Sequence, residues 1–154
     1  MSIYAKLKES GLLLPPPPAP QGHYSPVAIH QQTAMVSGQV SRTAAGVITG
    51  PVSEATPADQ IRLAAETCVL RALSILEQRL GSLENIERIV FMRGFIWGVP
   101  GFSQYPQVLD HASRLLTRLF GEAGEHARSA VGVAGLPGNG MLEIELVVSL
   151  TTAS

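Results

Sequence analysis

The sequence has few of the features that mark secreted, membrane-spanning or nucleic-acid-binding proteins. Its single cysteine, Cys68, cannot form a disulfide within the chain, and residues 1–10 lack the apolar run of a secretory signal peptide. No apolar run approaches the roughly 18 residues that a membrane span needs. Charged residues make up 15% of the chain, the formal net charge is −1, and no basic stripe is present. We therefore expect a cytoplasmic protein that binds neither membranes nor nucleic acid.

Side chains for metal or covalent chemistry are equally sparse. Cys68 lies among apolar residues at helical spacing, which is typical of a buried thiol rather than a nucleophile. Ser37 has no adjacent base, and the stretch "GLPGNG" lacks the strand-to-helix context of a phosphate-binding loop, so it is predicted to join two strands. The histidines show no ligand spacing, and no metal site is expected: they are His23, His30, His111 and His126.

Two segments are predicted from composition. Residues 1–20 include the proline-rich stretch "GLLLPPPPAP", whose prolines favour an extended arm. This arm is expected to pack across its own domain, and the alternative is a ligand for a polyproline-binding domain. Residues 21–154 are expected to form a single domain, because a chain with 45% apolar residues is long enough to bury one core.

Hydrophobic spacing in this domain predicts two strands, a helix, a strand, a second helix and two further strands. The first helix is predicted to begin at Thr56 as N-cap with Pro57 in the first position, and to end at Gly81. The second is expected to end at Gly121. The predicted elements are strands 27–30 and 33–37, paired as a hairpin, helix 57–80, strand 88–97, helix 105–120 and strands 129–134 and 141–150.

This order implies an uncovered sheet face. Right-handed crossovers would place both helices on one face of a mixed sheet. If the other face were solvated, the strand "RIVFMRGFIW" (Arg88–Trp97) would alternate strictly, yet it is apolar on both parities. The pattern therefore predicts that another copy of the chain covers this face.

Arg128 is the only cation in the long run of small and branched residues that ends the chain. Its parity mates Ala130 and Gly132 are small. If the last two strands pair antiparallel, matching core with core places Arg128 on the face that carries Glu143 and Glu145. Such an arrangement is typical of a pocket for a small anionic substrate. The alternative is a strand-end arginine in a surface ion pair.

Two distant motifs resemble those of the Rid (reactive intermediate deaminase, YjgF-like) family. "HARSAVGVAGLP" followed by "LEIELVV" is similar to its C-terminal signature, and "GHYSPVAIHQQTAMVSGQV" is similar to its N-terminal segment. The resemblance is greatest to a long-N-terminus branch formerly described as endoribonuclease or translation inhibitor. It implies a chorismate-mutase-like α+β fold, a homotrimer, and clefts between subunits that bind small carboxylates.

The resemblance also implies a reaction. In active relatives the motif arginine binds the carboxylate of a 2-imino acid of the 2-aminoacrylate type. Water then converts the imine to a 2-keto acid and ammonia, and no cofactor takes part. Carried over, Arg128 is that arginine and Glu143 is the residue that activates water. Tyr24, Ser37, Gly38 and Ala130 would line the substrate site, with Ala130 standing where relatives often have cysteine.

Three functions are consistent with the sequence. They are an enamine or imine deaminase, a non-catalytic binding protein for small carboxylates such as 2-keto acids on the same trimer, and a ribonuclease. The near-neutral charge and the absence of a paired-histidine motif count against the ribonuclease. The asparagine that relatives often carry in the second helix is not recognisable around Asp110–Ser113.

Overall fold

The structure is a computed structural model of the 154-residue chain and describes residues 1–152. Three α-helices and seven strands form in this described part. The helices are Ile3–Glu9 (α1), Ala58–Leu80 (α2) and Tyr105–Phe120 (α3). The strands are Val27–His30 (β1), Thr33–Val40 (β2), Arg42–Thr43 (β3), Gly46–Val47 (β4), Ile86–Trp97 (β5), Ala127–Val133 (β6) and Leu142–Leu150 (β7).

One mixed sheet holds five of the strands, in the order β1-β2-β7-β5-β6. Neighbours pair antiparallel except β5 and β6, which are parallel. Helix α2 packs on β2 and β7, while α3 packs on β5 and β6. This confirms the predicted α+β fold with one mixed sheet. Strands β3 and β4 form a separate small hairpin.

Local sequence chemistry accounts for most element boundaries. The predicted hairpin β1–β2 is confirmed, and Gln31 in its turn takes a left-handed φ of 54°. Helix α2 ends at Gly81 as predicted, with a left-handed φ of 85°. Its predicted start is wrong by one residue, because the helix begins at Ala58 and not at Pro57. The Thr56 hydroxyl accepts a hydrogen bond from the Ser53 backbone N–H at 2.9 Å instead of capping the helix, so Pro57 is the N-cap.

The first 20 residues contain a helix that their composition does not predict. In α1, Ile3 and Leu7 are buried in the core, and the Ser2 side chain caps the helix by accepting from the Ala5 N–H at 3.0 Å. The proline-rich stretch then runs over α2, where the Ser74 hydroxyl donates to the Pro15 carbonyl. Apolar contact and a partly buried hydrogen bond thus fix this segment against the domain.

Strand β5 does not alternate strictly because a bulge interrupts it. Its register against β7 shifts between Ile89 and Phe91, so Ile89 and Met92, three residues apart, both face the helices and are fully buried. Strict alternation along Arg88–Trp97 predicts that Ile89 shares a face with Phe91, and the bulge makes that prediction wrong.

The face of the sheet opposite the helices is partly apolar, and no part of residues 1–152 covers it. Met35 is 50% exposed and Val131 42% exposed. Phe91 and Phe95 on β5 are half-buried on the same face, where the Arg93 guanidinium lies 5.5 Å from the Phe91 ring centre. The expected oligomer stays a prediction, and this surface is the one that it would cover.

Candidate functional site

A cavity of about 250 Å³ lies beside the part of β2 that β1 does not cover. Strand β1 pairs only with residues 33–36 of β2, so residues 37–40 face this space at the edge of the sheet. The arm residues 18–21 and the Pro137–Gly138 turn close it from outside. The side chains and backbone that line it include Tyr24, Ser37, Gly38, Arg42, Arg71 and Glu143.

The Glu143 carboxylate reaches into this cavity because Gly38 has no side chain. A Cβ atom added at Gly38 would lie 2.5 Å from the Glu143 Oε1 atom. A bulge in β2 between Val36 and Gln39 places Gly38 at this position. Burial raises the pKa of Glu143, and the nearby charge of Glu145 raises that pKa further. The raised pKa moves Glu143 toward the range in which a carboxylate serves as a general base.

Tyr24 and Ser37 complete the group of predicted site residues in the cavity. Tyr24 is 48% exposed, and its hydroxyl accepts a hydrogen bond from the Gln21 backbone N–H at 3.1 Å. The Gln39 side chain donates to the Ser37 carbonyl at 3.2 Å, which fixes the bulged segment. Four of the predicted residues, Tyr24, Ser37, Gly38 and Glu143, therefore line one space.

Arg128 and Ala130 do not line this cavity. The predicted pairing of the last two strands is wrong, because β5 lies between β6 and β7. Arg128 is in register with Met92, and Met92 with Leu146, so Arg128 lies on the helix-covered face. Glu143 and Glu145 lie on the other face. The register puts the backbones of Arg128 and Glu143 about 10 Å apart across the strands and about 10 Å apart along them.

The Arg128 guanidinium is held by α3 of its own chain. Its Nη2 atom lies 2.8 Å from Asp110 Oδ1 and donates to the Pro106 carbonyl at 3.1 Å. Its Nη1 atom donates to the Ser113 hydroxyl at 2.9 Å. The side chain is 23% exposed. Within one chain, Arg128 thus forms the strand-end ion pair that was the alternative prediction.

The space expected beside Arg128 is occupied. A Cβ atom at Gly132 would overlap the Tyr105 phenol, so the glycine is required by the packing of this ring and leaves no groove there. His126 extends the polar cluster on the same side, since its Nε2 atom lies 2.9 Å from the Ser113 hydroxyl and its Nδ1 atom 2.6 Å from the Gly124 carbonyl. A carbonyl only accepts, so Nδ1 carries the proton.

Two residues of the cavity were missed by the sequence analysis. Arg42 lies on β3 and Arg71 in the middle of α2. Arg71 lies on α2 beside Cys68 and Ala72, which are both fully buried. A charged residue among buried apolar residues of a helix is unusual, and this feature of the sequence could have identified Arg71.

The other residues and motifs considered from the sequence do not form a second site in the described residues. Cys68 is fully buried, burial raises the pKa of its thiol, and its Sγ atom donates to the Leu142 carbonyl at 3.4 Å, which confirms a structural thiol. "GLPGNG" joins β6 and β7 as predicted. Within residues 1–152, no three His, Cys, Asp or Glu side chains are grouped to hold a metal. Over the same residues, no helix has the length and apolarity to cross a bilayer.

A family model described as Endoribonuclease L-PSP matches residues 16–150. The chain belongs to this family, also known as the YjgF or Rid family. It is 33% identical over 150 residues to Protein TCP17 of Trypanosoma cruzi, covering 96% of this chain and 94% of that protein.

Solved structures of other proteins share the fold. Protein Atu1372 of Agrobacterium tumefaciens is 34% identical and superposes with a TM-score of 0.87, over 97% of this chain and 94% of that one. RidA from an Antarctic Psychrobacter is 24% identical, with a TM-score of 0.60 over 87% and 94% of the two chains, and shows a likeness of fold alone. The Rid resemblance of the two sequence motifs is therefore confirmed.

The Glu143 environment predicts a specific pH dependence of stability. Its folded-state pKa lies above the ordinary glutamate value of 4.5, so its stabilising contribution is complete below that pH and is lost as the pH rises through the raised pKa. Glu143→Gln removes the buried charge. We expect its melting temperature to exceed that of the parent at neutral pH, with the difference shrinking to zero as the pH falls below about 4.

Thermal melts at a series of pH values, with Glu87→Gln as the matched control, test this expectation. Glu87 is exposed and forms no ion pair in the described part of the chain. A difference between Glu143→Gln and the parent that stays constant with pH would contradict it.

Proposed function

We propose that the protein hydrolyses reactive enamine and imine intermediates, namely 2-imino acids of the 2-aminoacrylate type, to 2-keto acids and ammonia. One observation carries the proposal. Glu143, a carboxylate with a raised pKa and no cation within ion-pair distance in the described chain, faces a cavity of about 250 Å³ beside Tyr24 and Gly38. Family membership supports it, because a relative by fold bears the name RidA.

The chemistry requires one proton acceptor and a fixed substrate. Glu143 takes a proton from water as the water oxygen bonds to the imine carbon, and the C=N electron pair moves to nitrogen. Glu143 returns this proton to the nitrogen, which gives a neutral carbinolamine. Glu143 then moves the proton of the carbinolamine hydroxyl to the nitrogen, so that the C=O bond forms as the C–N bond breaks and ammonia leaves. An imine is already electrophilic, so orientation and a proton shuttle suffice and no cofactor is needed.

The carboxylate of the substrate needs a cation, and we assign that role to Arg128 of a neighbouring subunit. Arg128 lies on β6 at one edge of the sheet, whereas the cavity lies at the β2 side. A closed ring in which unlike surfaces meet brings the Arg128 side of one chain to the cavity of the next. Without substrate, Asp110 is the ion-pair partner of Arg128. When substrate binds, its carboxylate takes the place of Asp110 as that partner.

The family description also names an endoribonuclease, and we propose that this chain is not one. Affinity for RNA depends mainly on contacts between cations and phosphates. The chain has 11 cationic and 12 acidic residues, and five of its nine arginines are ion-paired to carboxylates. Binding of small carboxylates without turnover is the alternative that a hydrolysis assay separates from the deaminase.

Substitutions at Arg128 and Glu143 should separate the two roles. We expect Arg128→Ala and Arg128→Lys to lower kcat/KM for 2-aminoacrylate about 100-fold or more, because lysine lacks the planar pair of donors. Glu143→Gln should lower kcat about 100-fold while the affinity for a 2-keto acid stays within about threefold. Imine decay, with 2-aminoacrylate generated in place by a dehydratase, measures the rates.

Arg79→Ala is the matched control, since Arg79 is exposed in the last turn of α2 and should leave the rates unchanged. Imine decay in the parent no faster than in buffer would contradict the deaminase. Circular dichroism detects any loss of activity that results from unfolding of Arg128→Ala. If that variant does not fold, Arg128→Lys, which keeps the charge, is used for the comparison.

A trimer in solution is the second expectation. The exposed apolar side chains of the uncovered sheet face provide its contact surface. Light scattering should give about three times the 16.3 kDa chain mass. A monomer at micromolar concentration would contradict both the trimer and a site shared between subunits.

A further inference from the structure

Two cations of the cavity wall have no role in the proposed hydrolysis. Arg42 on β3 and Arg71 on α2 are 29 residues apart in sequence, but the Arg71 Nη1 atom donates to the Arg42 carbonyl at 3.4 Å. Both border the space that Glu143 enters. Burial lowers the pKa of Arg71, and the charge of Arg42 lowers it further, so the two guanidinium groups lie close enough to repel each other.

Neither arginine has a carboxylate partner in the described part of the chain. Arg42, Arg71 and Arg128 are the three half-buried arginines, and of these only Arg128 forms an ion pair. The Nε atoms of Arg42 and Arg71 are buried and have no hydrogen-bond partner among residues 1–152. Half-buried guanidinium groups without a paired anion are costly, so an anion that bound both in the cavity would offset part of that cost.

The carboxylate of the same cavity does not provide that partner. Glu143 is not within ion-pair distance of Arg42 or Arg71 among the described residues. The pKa of Glu143 is raised by its surroundings, whereas an adjacent guanidinium would have lowered it. With two cations and one carboxylate, the cavity has a net charge of about +1 when Glu143 is ionised.

We propose that Arg42 and Arg71 together bind a second acidic group of the substrate, so that the preferred substrates are dicarboxylic 2-imino acids and the products are the matching dicarboxylic 2-keto acids. The inference rests on the proposed function, in which Arg128 of a neighbour holds the first carboxylate. Guanidinium groups suit a carboxylate because two of their N–H groups match its two oxygens. A single negative charge also matches the net charge of the cavity.

The test compares two five-carbon keto acids that differ in one carboxylate. 2-Oxoglutarate carries the second acidic group and 2-oxopentanoate does not. Titration calorimetry should show that the parent protein binds 2-oxoglutarate at least about tenfold more tightly. Arg71→Gln and Arg42→Gln should each remove most of that preference and leave the affinity for 2-oxopentanoate within about twofold.

Arg62→Gln is the matched control on the same helix. Its side chain is 58% exposed, its ion pairs in the described residues are with Asp59 and Glu66, and it does not line the cavity, so we expect no change with either ligand. If Arg71→Gln does not fold, Arg42→Gln on the small hairpin and Arg71→Lys provide the comparison.

Failure of this inference is distinguishable from failure of the proposed function. Equal affinities of the parent for the two keto acids would overturn the inference, and the deaminase would still stand if 2-aminoacrylate is hydrolysed. An unchanged preference in both Arg71→Gln and Arg42→Gln would also overturn it. A preference that both variants remove, in a protein that hydrolyses no imine, would support the arginine pair and contradict the deaminase.

Discussion

The position of β5 between β6 and β7 determines how Arg128 and Glu143 lie relative to each other. Its parallel pairing with β6 and antiparallel pairing with β7 put Arg128 beneath α3 and Glu143 on the other face. No side-chain rotation carries a group through a hydrogen-bonded sheet. Arg128 and Glu143 therefore cannot meet within one chain, and a site that uses both needs a second subunit.

The chain balances its charges differently at the two edges of the sheet. At β6, Asp110 and Ser113 satisfy the Arg128 guanidinium, which makes this edge stable without a ligand. At β2, the cavity holds Arg42, Arg71 and Glu143 without an ion pair between them in the described residues. Unpaired groups of both signs in a partly enclosed space are typical of a binding site rather than of a core.

Elements set by local chemistry could be predicted from the sequence. Helix α3 has its predicted bounds because apolar spacing and Gly121 define them, and α2 ends at Gly81 for the same reason. Register could not be predicted, since the bulge at Val90 and the insertion of β5 depend on contacts between distant segments. Helix α1 was missed because its burial depends on α3, which no local pattern reveals.

The candidate site also contains residues that could be predicted from the sequence and residues that could not. Tyr24, Ser37, Gly38 and Glu143 were identified through family motifs, and they share one cavity. Arg42 was missed because its neighbours in sequence are polar and small, and only the fold of the β3–β4 hairpin brings it to Arg71. The prediction of a groove at Gly132 is wrong because the Tyr105 ring fills that space. A small residue indicates a groove only when no side chain from elsewhere in the chain occupies it.

The most direct test of a site shared between subunits is complementation between two inactive variants. Arg128→Ala and Glu143→Gln proteins are each purified, unfolded, mixed in equal amounts and refolded together. If Arg128 of one subunit serves Glu143 of the next, random assembly gives about a quarter of the sites both native groups, and about a quarter of the parental imine hydrolysis should return. If the mixture stays as inactive as its two components while the parent refolds to full activity, the two residues do not form a site between subunits.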